Sequence, residues 1–127
     1  MTNEEKELLL KDISARLPYG VFCDMGLDYP LSLQSLFVDR LDGILLDFYE
    51  DGKDYQVYLG EVKPYLFPLS SMTPKQKAEL AHLTVDIDGI FERVLAEIEF
   101  YHRHHIDYRG LIEMGLAIDA TGLGIYE

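Results

Sequence analysis

The stretch FYHRHHIDYRG, residues 100 to 110, sets His102, His104 and His105 ahead of Asp107 and holds three of the chain's four histidines. Imidazole and carboxylate are ligands that zinc and iron accept, so a metal centre is the first chemistry to weigh. Helical spacing restricts it. At about 100° per residue, His105 falls about 20° and His102 about 40° from an apolar line centred on Ile98, while His104 points the opposite way, beside Glu97. Only His102 and His105 could share an ion while the helix persists, and further ligands would have to come from elsewhere in the fold. No His-Glu-x-x-His pattern is present. The expected role of this pair is structural, with the rings hydrogen-bonded to backbone and tyrosine hydroxyls at a junction between helices.

A second constellation is Glu61-x-Lys63 downstream of Asp47. Its order resembles the Asp…Glu-x-Lys set of restriction-type nucleases, where carboxylates hold magnesium and the lysine activates water. Pro64 interrupts the strand at once, and the pattern is short enough to arise by chance. Nucleophiles are scarce. Cys23 stands between Phe22 and Asp24 with no neighbouring base to lower its pKa and reads as a buried, inert thiol. Ser70 and Ser71 lack a nucleophile elbow, and the glycines of ATGLGIYE lack the strand and helix of a phosphate loop. The residues therefore assign no catalytic group, no cofactor and no resident metal.

Partner classes are bounded by charge. The 127 residues carry 23 acidic and 11 basic side chains, a formal charge of −12. Such a chain is repelled by phosphate backbones and anionic lipid, which speaks against nucleic acid and membrane surfaces as partners. An acidic face suits a basic protein partner. Nine tyrosines and six phenylalanines supply aromatic surface for protein contacts as well as core, and a homodimer is compatible with this composition. A lone cysteine, the lack of a long apolar run and an acidic N-terminal stretch without signal-peptide features point to a reducing compartment, the cytoplasm.

The elements that must position these residues can be read in order. Thr2 and Glu5 form a capping box ahead of a helix with Leu9, Ile13 and Leu17, which Pro18 ends. YGVFCDMG reads as a short strand turning near Gly26. Asp51-Gly52 closes a hairpin in which Phe48 faces Tyr55, Leu46 faces Val57 and Ile44 faces Leu59. Asp42-Gly43 would join the preceding strand, LSLQSLFVDRL, to this hairpin with Asp39 opposite Leu46. A bulge near Gln34 to Leu36 would absorb a phase slip in its leucines. The two prolines of KPYLFP place that segment at a sheet edge or in a crossing, not in a central strand. Thr73, Pro74 and Gln76 start a second helix that runs to about Leu83. A longer helix begins near Asp86 or Asp88 with Ile87, Phe91, Val94, Leu95 and Ile98 on its apolar side, and Asp107 caps a last helix bearing Tyr108, Leu111, Ile112, Gly115 and Leu116. The expected architecture is α+β in one domain, 1–127: an N-terminal helix, an antiparallel β-meander of three to five strands, and a C-terminal run of three helices packed on it.

Three blocks, ARLPYGV (Ala15 to Val21), KPYLFPLSSMT (Lys63 to Thr73) and HHIDYRGLIEMGLAIDATGLGIY (His104 to Tyr126), resemble a family of short uncharacterised proteins of gut Bacteroidales and of their phages and mobile elements. The resemblance spans most of the chain except the middle hairpin. It implies an origin in a mobile element, where small acidic proteins often act by binding another protein, and it carries over no functional residue. The leading functional expectation is a non-enzymatic protein-binding module. The alternative is a metal-dependent hydrolase or nuclease using His102 and His105, or Asp47, Glu61 and Lys63.

Overall fold

The computed structural model describes residues 1–39 and 43–127. Helix α1 (Asn3–Arg16) starts from the expected capping box, in which the Thr2 hydroxyl accepts from the Glu5 N–H and the Glu5 carboxylate from the Thr2 N–H. Four residues at helical spacing on α1 are buried: Leu9, Asp12, Ile13 and Arg16. The two leucine-type members enter the core, and the two charged ones pair with each other.

Strands β1 (Phe22–Asp24), β2 (Leu31–Asp39), β3 (Gly43–Glu50) and β4 (Lys53–Tyr58) form an antiparallel meander. The β3–β4 register agrees with the turn chemistry: Glu50 lies opposite Lys53, Phe48 opposite Tyr55 and Leu46 opposite Val57. Asp51 takes a φ of 48° and Gly52 one of 83°, the left-handed values that a tight two-residue hairpin needs. Pairing ends at Leu45 and Tyr58, because the chain then enters a 3-10 turn at Leu59–Glu61, so the expected Ile44–Leu59 pair is not part of the ladder. The β2–β3 register differs from expectation: Asp39 pairs with Gly43, and Leu46 faces Leu36. The Asp42 half of the expected turn lies outside the described residues. A shift between Leu33 and Ser35 supplies the expected bulge, and the extra residue lets both Leu33 and Leu36 turn toward the core.

Strand β5 (Lys63–Pro68) corrects the sequence reading. It is an interior strand, antiparallel to β1 and parallel to both β6 (Ile106–Asp107) and β7 (Ile118–Asp119). The strand order is β4-β3-β2-β1-β5-β6, with β7 also on β5, giving a mixed and mostly antiparallel sheet. The prolines are tolerated because they stand near the two ends, while the N–H of Phe67 still donates to the His105 carbonyl and the Leu66 carbonyl still accepts from the Ala120 N–H.

Helix α2 (Pro74–Val85) begins with the expected capping box of Thr73 and Gln76. Helix α3 (Ile90–Arg103) follows, its first turn preceded by Gly89 and not by either aspartate. The expected last helix is absent. Between Asp107 and Ile118 the chain makes a series of turns, because Gly110 and Gly115 take φ values of 80° and 76°, outside the right-handed helical region. Asp107 still caps, but it caps a coil: its two carboxylate oxygens accept from the N–H groups of Leu111 and Ile112. Leu111, Leu116 and Ala117 reach the core from these turns.

The core lies between α1, this coil and the inner face of the sheet, with Leu9 and Ile13 against a cluster that includes Leu46, Phe48 and Leu66. The helices after the sheet do not cover it as expected. No residue of α2 is buried, and α3 buries only Phe100. No described helix is long and apolar enough to cross a membrane.

Candidate functional site

The three clustered histidines diverge at the end of α3. His102, in the last turn, has Nε2 2.7 Å from the Tyr108 hydroxyl. Tyr108 is held in turn by the stacked ring of Tyr101, 5.5 Å away, and by the Arg109 guanidinium, 4.9 Å from its centroid. Burial, reinforced by the charge of Arg16, lowers the His102 pKa. His104 leaves the helix beside the Phe100 ring, with Nε2 4.0 Å from a Glu79 carboxylate oxygen.

His105 is the unusual member. It takes a φ of 56°, a left-handed conformation that costs a non-glycine residue about 1 kcal/mol, to turn the chain from α3 into β6. The ring is buried and stacks on Tyr126 at 4.1 Å and 15°, which offsets that cost. Its Nε2 lies 3.2 Å from the Tyr19 carbonyl oxygen, and a carbonyl only accepts, so Nε2 carries the proton. Nδ1 is then a bare lone pair without a donor in reach. Burial is the main reason its pKa falls to about 4, with the nearby Arg16 charge second, and the ring is neutral at pH 7.

His102 and His105 therefore meet a tyrosine hydroxyl and a backbone carbonyl and share no ligand. Among the described residues, no three His, Cys, Asp or Glu side chains are grouped to hold a metal ion. The Asp47, Glu61 and Lys63 set does not assemble either. Asp47 lies on β3 and Lys63 on β5, three strand steps apart across β2 and β1, so about 14 Å separates their strands at about 4.8 Å per step. Cys23 is buried in β1, where loss of solvent pushes its thiol pKa well up and leaves it a poor nucleophile. The Ser71 hydroxyl donates to the Pro68 carbonyl as part of a turn.

A feature that pattern reading passed over is the buried pair in α1. Arg16 donates Nε and Nη2 to the two oxygens of Asp12 at 2.8 and 3.1 Å, and its remaining reach goes to the carbonyls of Tyr101 and Ile106. Arg109 adds a second positive charge 3.3 Å from Asp12 Oδ1. The signal was present in the sequence, since Asp12 and Arg16 continue the spacing of Leu9 and Ile13. This network ties α1 to the end of α3 and to β6.

No protein-family model, curated protein or solved structure matches the chain. The surface itself must therefore indicate where the chain acts. A cleft of about 600 Å³ runs beside His105, walled by Tyr19, Phe67 and Tyr126 and also lined by Arg103 and Glu127. It holds no nucleophile paired with a base, and its inner wall is occupied by the Tyr126 side chain, whose hydroxyl donates to the Tyr65 carbonyl and accepts from the Phe22 N–H. The larger anomaly is on α3. Of the residues that periodicity places against a core, Phe91 is 71% exposed and Val94 and Leu95 46% each, while Ile98 is half-buried; Ile90, beside that stripe, is 80% exposed. Every residue from Ile90 to Leu95 is exposed, and the helix is anchored near its C-terminal end on the side opposite the stripe, where Phe100 is buried, while Arg93 and Glu97 line the groove against Leu80 and Thr84 of α2.

Proposed function

We propose that this chain is a small acidic, non-enzymatic protein-binding module that docks a partner protein on the outward apolar face of α3. The observation that carries the reading is the exposure of Ile90, Phe91, Val94 and Leu95 on one helix. Contiguous apolar surface costs solubility, and soluble chains keep it where a partner covers it. Phe91, Val94 and Leu95 follow the i, i+3, i+4 pattern that helix-in-groove and helix-on-helix recognition uses, and Ile90 stands one turn before Val94. The lack of an assembled catalytic or metal-ligating set among the described residues leaves this face as the feature that asks for a function. An origin in a phage or mobile element rests on the resemblance of its three sequence blocks alone.

Site-specific photocrosslinking in the source cell tests the reading. A benzophenone side chain at position 91 should give one stoichiometric protein adduct that is lost when Leu95→Ser is added, while the same probe at Tyr49, on the hairpin, should not give it. A chain that is monomeric in solution and forms no adduct from position 91 would sink the proposal.

A further inference from the structure

The charges that border the α3 face identify the kind of partner, an inference that rests on the docking role just proposed. We infer that this face takes an amphipathic helix of a partner protein whose own apolar stripe is flanked by lysine and arginine. Around α3, Phe91, Val94, Leu95 and Ile98 span an arc of about 100°. Glu92 and Glu99 border it on one side. On the other side Glu97 turns toward the α2 groove and accepts a hydrogen bond of 2.5 Å from the Tyr101 hydroxyl. The two arginines of the helix are directed elsewhere: Arg93 bonds the Ile87 carbonyl and lines the groove with α2, and Arg103 lines the cleft beside His105. The apolar strip is thus edged on its open side by the carboxylates of Glu92 and Glu99, in a chain of net charge −12.

This edge selects among occupants. A second copy set antiparallel would bring Glu92 and Glu99 against their own counterparts, and like charges facing across an interface disfavour that arrangement. Anionic lipid is repelled for the same reason. A helix with a leucine-type stripe between lysines buries Phe91 and Leu95 and pairs its edges with these glutamates, and the chain's overall charge speeds its approach.

The test uses the full chain and two designed 18-residue amphipathic peptides of the same leucine stripe, one flanked by lysine and one by glutamate, followed by calorimetry and amide NMR. The lysine peptide should bind and shift the amides of residues 90 to 98. F91S/L95S should weaken it at least tenfold, E92Q/E99Q about threefold to tenfold, and the glutamate peptide should not bind. Binding of the lysine peptide that F91S/L95S leaves unchanged would be bulk charge attraction and would overturn the inference, as would equal binding of both peptides. A dimer in sedimentation that F91S/L95S dissociates would put a second copy on the face instead. A crosslinked partner that docks on α3 through a neutral or acidic helix would leave the docking role standing and remove this inference; no engagement of α3 by peptide or partner removes both.

Discussion

Asp12 and Arg16 form a two-pronged ion pair one helical turn apart, with neither side chain exposed to solvent. Such a pair gains little over apolar residues of the same volume, yet losing Arg16 leaves the buried Asp12 carboxylate with only the partly exposed Arg109 beside it. Arg16→Met should therefore destabilise the fold by about 3 to 5 kcal/mol. The double change Asp12→Leu with Arg16→Met should recover a large part of that loss, although the Tyr101 and Ile106 carbonyls lose a donor. Urea unfolding of the three variants checks this, and a double variant as unstable as Arg16→Met would refute it.

The depressed pKa of His105 makes stability depend on pH with a definite sign. Unfolded, the ring binds a proton below about 6.5; folded, it resists until about 4. Between these values the unfolded state holds more protons, so stability falls as pH drops through this window. Wild type should lose about 2 kcal/mol more than His105→Asn between pH 7 and pH 4.5, asparagine being chosen because it tolerates a positive φ. His102 and His104, both also lowered mainly by burial, push in the same direction and remain in both proteins. Parallel stability profiles for the two chains would show that His105 is not the sensor.

Tyr126 pins the final turn to the sheet through its hydroxyl and packs against Phe22, Phe67 and His105. Tyr126→Phe keeps the ring and removes the hydroxyl, leaving the Phe22 N–H and the Tyr65 carbonyl without that partner. A loss of about 1 to 3 kcal/mol is expected, together with faster hydrogen exchange at the Phe22 amide. Unchanged exchange there would mean that another acceptor replaces the hydroxyl.

The α3 face should be dispensable for folding. Because Phe91 and Leu95 are largely exposed, F91S/L95S should change unfolding free energy by no more than about 1 kcal/mol, near the ordinary range for surface sites. A large loss of stability would place these residues in a core and would remove the surface on which the docking proposal stands.

Local chemistry explains what could be read before folding. Capping boxes at Thr2 and Thr73 and the Asp51-Gly52 turn act over three or four residues, so sequence suffices to place α1, α2 and the β3–β4 register. The bulge after Leu33 was legible for the same reason, as a slip in a short alternating pattern. Reading failed where the deciding partner is distant. Prolines alone argue that β5 is an edge, but β1 and the later β6 and β7 supply hydrogen bonds at positions the prolines do not occupy. Spacing alone also allows a helix after Asp107, where left-handed glycines and the Asp107 carboxylate organise turns.

For the candidate site the division is the same. Sequence by itself determined that α3 is amphipathic, that His104 diverges from His102 and His105, and that the chain is strongly acidic, because these follow from the angle between successive residues and from counting charges. Which way the apolar side of α3 faces is a property of packing: Phe100 and the α2 groove claim the opposite side and leave Phe91 and Leu95 in water. Tertiary structure likewise decided that His102 meets Tyr108, that His105 is sealed between Tyr19 and Tyr126, and that Asp47 and Lys63 stand on separated strands. Periodicity specifies that a helix has an apolar face; only the remainder of the fold specifies whether that face is already covered.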